Sequence, residues 1–152
     1  MKKLALASAL GVSALVSAFS AQAATAGGSP AGDFNVNINL TSVCLLVKPT
    51  DINFDYASFQ TSAQAPTSGG VFGLICTKNL VYTFALDALT TIDNAVDLSY
   101  TLSLPTAVKG TGAAQSYTIG GSISAGQAGN CATTTCTNSA ATNKTRTLTV
   151  TY

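Results

Sequence analysis

Asp97-Leu-Ser-Tyr-Thr-Leu-Ser-Leu104 is the stretch on which the fold turns. Leu98, Tyr100, Leu102 and Leu104 fall on every second position, and Pro105 stops the run. A period of two places all four on one face of a strand, whereas a helix would need a period of 3.6. The same alternation recurs on both sides. Val81-Tyr-Thr-Phe-Ala-Leu-Asp87 puts Tyr82, Phe84 and Leu86 on one face, and Arg146-Thr-Leu-Thr-Val-Thr-Tyr152 does so for Leu148, Val150 and Tyr152. Residues 70–77 form a denser run ending near Cys76, and Asp51-Ile-Asn-Phe-Asp-Tyr56 is a short candidate after Pro49. Residues 116–124 are a further candidate, interrupted by Gly120-Gly121. No helical periodicity competes, and clusters of Ser, Thr, Asn and Gly separate the runs. The expected fold is all-β, an antiparallel sandwich with one face of each sheet buried. Residues 58–70 and 125–144 are the expected loops.

The N-terminal part holds a discontinuity. Phe34-Asn-Val-Asn-Ile-Asn-Leu40 alternates without fault, with its apolar residues on even numbers. They move to odd numbers at Val43, Leu45 and Val47. A regular strand cannot exchange its faces without a break or bulge. Residues 34–40 and 43–47 are therefore expected as two strand segments or one bulged strand. Every outward position of the first segment is asparagine, and a tail of small residues, 24–32, precedes it.

Composition removes several functions. The 152 residues include six Asp, no Glu, no His and no Trp, and only 9% are charged against 47% hydrophobic. Without His there is no Ser-His-Asp triad and no imidazole metal ligand. A formal charge of +1 gives no electrostatic footprint for nucleic acid. No base, nucleophile or metal constellation appears, so neither an enzyme nor a cofactor is expected.

Residues 1–23 read as a bacterial secretory signal. Lys2 and Lys3 form a basic start, residues 4–19 are apolar, and Ala21-Gln22-Ala23 matches an A-x-A cleavage site. Cleavage would leave 129 residues with five basic and six acidic groups, a net charge of −1. No later stretch is long and apolar enough to span a bilayer. Cys44, Cys76, Cys131 and Cys136 all lie after the signal, and an even count in an exported small domain reads as two disulfides. Three pairings are possible. The expected one is Cys44–Cys76 with Cys131–Cys136, the second closing a short Ala-Thr-Thr-Thr loop. Their spacing does not suit zinc.

Other features have plain readings. Asn39-Leu-Thr41 and Asn143-Lys-Thr145 match a glycosylation sequon by coincidence in a bacterial export context. Gly69-Gly70 and Gly120-Gly121 lack the strand–loop–Lys–helix setting of a phosphate loop and read as turns or bulges. Asp87, Asp93 and Asp97 are not spaced as a calcium loop and are expected as surface or turn carboxylates. The aromatic residues fall mainly on inward strand faces, so they belong to a core.

The order of these segments resembles the spore coat protein U domain family, which includes the secreted pilins of archaic chaperone–usher pili. Residues 34–44 resemble its alternating strand and first cysteine. Asp51-Ile-Asn-Phe-Asp-Tyr56 is similar to its Phe-Gly-x-Tyr element, with Asp55 in the glycine position. Gly70-Val-Phe-Gly-Leu-Ile-Cys-Thr77 resembles the stretch with the second cysteine, and Tyr82-Thr-Phe-Ala-Leu-Asp87 its Tyr-x-Val-x-Leu-Asp strand. Leu98-Ser-Tyr-Thr-Leu102, residues 118–127 and Leu148-Thr-Val-Thr-Tyr152 are similar to later strands and turns. Trp-Gly and Gly-x-Tyr-x-Asp elements are missing, and Cys131 and Cys136 are additions.

The resemblance implies an immunoglobulin-like sandwich that lacks its last strand and is completed by a donor strand. The division would be 1–23 signal peptide, 24–41 donor segment and 42–152 pilin domain. Phe34, Val36, Ile38 and Leu40 would be the donor side chains, and Leu148, Val150 and Tyr152 would help line the acceptor groove. Implied partners are a periplasmic chaperone, an outer-membrane usher and other pilin subunits. The implied location is a pilus on the cell surface, reached through the periplasm and serving adhesion and biofilm formation. The alternative is a self-contained secreted sandwich, such as a coat, matrix or ligand-binding protein.

Overall fold

The computed structural model describes residues 31–152, so the expected signal peptide, 1–23, and the start of the tail lie outside the described residues. The chain divides into two units, one ending at Ile38 and one running Asn39–Tyr152; every element below belongs to the second. The described part is all-β, with strands β1 (Cys44–Val47), β2 (Val71–Cys76), β3 (Thr83–Leu86), β4 (Thr90–Asp93), β5 (Leu98–Ser103), β6 (Ala114–Thr118), β7 (Gly120–Ile123) and β8 (Leu148–Thr151). One 3-10 turn, Asn138–Ala140, interrupts the longest loop. Every pairing is antiparallel: β1-β2-β6 and β4-β5-β7 form three-stranded sheets, and β3 and β8 form a ribbon.

One run of chain feeds both three-stranded sheets. β6 pairs with β2, the chain passes through buried Ile119, and β7 pairs with β5. The Ile119 amide donates to the Gly70 carbonyl at 2.9 Å, which ends the first pairing. Gly121 then lets β7 close on β5, because a Cβ there would stand 2.8 Å from the Thr101 carbonyl oxygen. The break expected at Gly120-Gly121 is therefore a change of sheet at Ile119.

The three sheets share a core. Phe72 of β2, Leu102 of β5 and Ile119 are buried together, with Phe84 of β3 and Leu148 of β8 packed against them. Leu74, Cys76 and Tyr82 form a second buried group, flanked by Cys44 and Val150. The Phe72 ring lies 5.2 Å from Phe84, edge to face, and 5.4 Å from Tyr117, stacked. Tyr82 hydroxyl meets the Tyr117 hydroxyl and donates to Gln115 Oε1 at 3.3 Å, so these phenols enter the apolar interior satisfied. Burial, then the bond to Tyr82, pushes the Tyr117 hydroxyl up to about 12. Sheets facing one another across shared side chains are what a β-sandwich requires.

Both disulfides form as expected. Cys44 and Cys76 oppose each other directly in the β1–β2 register, Cα atoms 4.1 Å apart. Cys131 and Cys136, Cα atoms 5.6 Å apart, close an exposed loop. The first cross-link removes loop entropy from the unfolded chain, so Cys44→Ala/Cys76→Ala is expected to lose about 3–4 kcal/mol. Urea unfolding beside the parent chain measures this; a loss under about 1 kcal/mol would refute the assignment.

Two strand expectations change. Residues 34–40 form no strand within this chain. Asn53 makes a single bridge to Ser68 where residues 51–56 were expected as a strand. Conversely, β4 carries no alternation to reveal it: Ile92 is its only aliphatic residue and is exposed. It exists because it pairs with β5 through the turn at 94–97, where Asp97 takes φ +50°.

Candidate functional site

Among the described residues β1 pairs only with β2, and β8 only with β3. Each strand thus keeps one unpaired edge, a row of amides and carbonyls able to accept another strand. An open groove of about 1500 Å³ reaches both strands, with Leu46 of β1 and Leu148 of β8 in its lining. Phe54, Leu86, Tyr100, Leu102 and Ile119 also line it, and these belong to the first core cluster. The groove is therefore an opening onto the core itself.

Leu46 shows this most directly. It opposes Leu74, so both side chains share the inward face of the sheet. Leu74 is fully buried, yet Leu46 is 42% exposed. Its neighbours Leu45 and Val47 are exposed for another reason, since they alternate onto the outer face.

A polar clamp sets the start of β8. Arg146 Nε donates to the Tyr100 hydroxyl at 2.9 Å, Nη1 pairs with Asp87 Oδ2 at 3.2 Å, and Nη2 reaches the Asn143 carbonyl. Asp87 Oδ1 accepts the Thr147 amide at 3.0 Å. The Thr147 amide, then the Arg146 guanidinium, outweigh desolvation and hold the Asp87 carboxyl below its ordinary range. These bonds tie residues 146–147 to the end of β3, so β8 starts in register with its open edge beside the groove.

The loop with the second disulfide also lines the groove, through Cys131, Thr133, Thr134, Thr135 and Cys136. Asp93 anchors it. This carboxylate, expected at the surface or in a turn, does cap a turn but is only 3% exposed. Oδ1 accepts the amides of Ala95 (2.9 Å) and Val96 (3.2 Å), and Oδ2 accepts Asn138 Nδ2 (2.9 Å). The short side chain caps its own turn while reaching a distant loop, a contact that no local pattern reveals. Burial pushes the Asp93 carboxyl up, but the bonds from Asn138, Ala95 and Val96 prevail and lower it below 3.8.

A lowered carboxyl stabilises the fold in its ionised form. That contribution is complete above the unfolded-state value, near 3.8, and is lost as pH falls through the lower folded-state value. Asp93→Asn turns one amide donor towards Asn138. It is expected to cost about 1–3 kcal/mol at pH 7 and to flatten acid destabilisation below pH 4. Urea titrations at pH 7, 4 and 3 measure both; an unchanged acid slope would remove Asp93 from the account.

Gln127 closes the stretch 118–127, and nothing in its sequence setting marks a role for its side chain. Its side chain receives the Ser99 amide at 2.6 Å and returns a bond to the Ser99 carbonyl at 2.8 Å. It thus acts as a strand partner for β5, while its own amide donates to the Tyr56 hydroxyl at 2.8 Å.

The expected site residues separate into three places. Phe34, Val36, Ile38 and Leu40 are 85%, 72%, 83% and 80% exposed and lie in no strand. Leu148 lines the groove. Val150 packs on the second core group, and Tyr152, 56% exposed, lies beyond the end of β8 and outside the lining. Leu46, Phe54, Leu86 and Tyr100 are lining residues that sequence patterns did not single out as such. For Leu86 and Tyr100 the alternation marked an inward face, not that the face lacked a cover; at β1 it marked Val43, Leu45 and Val47, whereas Leu46, opposite buried Leu74, is the residue that faces inward. Among the described residues no helix is long and apolar enough to cross a membrane, and no group of three His, Cys, Asp or Glu could hold a metal ion.

Comparison of the chain with protein-family models, curated proteins and solved structures returned no match.

Proposed function

We propose that this protein is a structural subunit of a surface fibre, a pilin of the archaic chaperone–usher type, which polymerises by donor-strand complementation. The domain is an immunoglobulin-like sandwich short of one strand. Residues 34–40 of a second copy enter the groove, with Phe34, Val36, Ile38 and Leu40 facing the core. Before assembly a periplasmic chaperone fills the groove, and an outer-membrane usher exchanges it for the next subunit. Adhesion and biofilm formation follow from the fibre.

One observation carries the proposal. A core-lined groove stands open beside two unpaired strand edges, in a chain that also holds an exposed, unpaired segment of perfect alternation. Adding a strand would satisfy the edges through main-chain bonds and cover the groove through alternate side chains. Each donor side chain would gain about 1.5–3 kcal/mol on burial. The motif order and the signal-like N-terminus support export and the pilin class.

Size-exclusion chromatography of the purified chain, without chaperone, tests the proposal. The expected product is a ladder of multimers, which excess synthetic peptide of residues 24–41 converts to capped monomers. A chain that stays monomeric and ignores the peptide is a self-contained sandwich instead.

A further inference from the structure

We propose that the disulfide-closed loop Cys131–Cys136 is the specificity rim of the groove, holding Thr133, Thr134 and Thr135 where they hydrogen-bond the asparagine face of an incoming 34–40 strand. This rests on the strand-exchange function proposed above. It adds which part of the site reads the strand's outward side.

The loop is a held structure. Asn130 donates its amide to the Val96 carbonyl at 2.7 Å, and Asn138 donates to buried Asp93 at 2.9 Å. Asn94 Nδ2 reaches Thr142 Oγ1 at 2.6 Å. The disulfide closes the span between these anchors. Residues 131–136 are all exposed, so the bond braces no core. What it braces is a short wall of threonines that line the groove.

The incoming strand supplies the complement. When its apolar side chains face the core, the alternate positions point away, and these are Asn35, Asn37 and Asn39. The Thr133 hydroxyl already donates to the Thr135 carbonyl at 2.9 Å and is left to accept from an asparagine amide, while the hydroxyls of Thr134 and Thr135 can each donate and accept, as an asparagine side chain can. Main-chain pairing accepts any extended segment, and apolar burial accepts any alternating one. Discrimination therefore needs contacts to the remaining face. A slack loop would spend ordering entropy at each encounter, and a disulfide-closed one has largely met it beforehand.

A double-mutant cycle on the full-length chain tests this through the rate at which assembled multimers dissociate on heating. The loop variants are Cys131→Ala/Cys136→Ala and, with the disulfide kept, Thr133→Ala/Thr134→Ala/Thr135→Ala. The strand variant is Asn35→Ala/Asn37→Ala/Asn39→Ala. Each alone is expected to speed dissociation about tenfold, and a loop variant combined with the strand variant should be no faster than either. If the threonine and asparagine effects multiply instead, the loop does not read the strand and the inference fails while strand exchange stands. If the parent chain forms no multimers, the strand-exchange function falls and this inference with it.

Discussion

Val36→Asp/Ile38→Asp is expected to leave a folded subunit that no longer assembles. In the free chain these side chains are exposed and outside every strand, so their replacement removes no internal contact of note. In an assembled fibre each would lie against Phe54, Leu86 or Tyr100 at the groove floor. Losing two apolar burials forfeits about 3–6 kcal/mol, and a carboxylate without a partner adds a desolvation penalty. Assembly should weaken by at least about a thousandfold, since every 1.4 kcal/mol is a factor of ten. Light scattering coupled to size exclusion reads the oligomeric state, and circular dichroism checks that the melt is unchanged. Multimers at parental abundance would remove residues 34–40 from the interface.

Phe72→Ala should be the most damaging single substitution in the sandwich. The ring is 2% exposed and touches Phe84 and Tyr117 from two other strands. Its removal opens a cavity where sheet and ribbon meet. Phenylalanine truncations of this kind cost about 3–5 kcal/mol, a large share of a domain's usual 5–15 kcal/mol. Phe72→Leu refills part of the volume and should cost under half as much. Urea unfolding of both variants measures the difference. Near-parental stability of Phe72→Ala would mean that the three sheets do not depend on this ring cluster.

The alternating runs at 81–87, 97–104 and 146–152 marked β3, β5 and β8 to within two residues at most ends, because each has one wet and one buried face. Residues 34–40 carry the sharpest alternation of all and yet form no strand in this chain. Alternation records which face is to be buried, not where the partner comes from. β4 stayed hidden for the opposite reason: its pairing rests on backbone bonds and a turn, with little apolar burial.

Amino-acid order by itself determined the β character, the inward residues of β3, β5 and β8 and the alternation of 34–40, and it favoured, among three possible pairings, the two disulfides that form. These follow from short-range periodicity and from residue chemistry, which the chain carries locally. Only the tertiary structure decided that β1 and β8 keep unpaired edges, that the core is open through Leu46 and Phe54, and that Asp93 is buried beneath a distant asparagine. Each of these depends on which segments meet after many residues of intervening chain, and pairing at that range leaves no periodic trace.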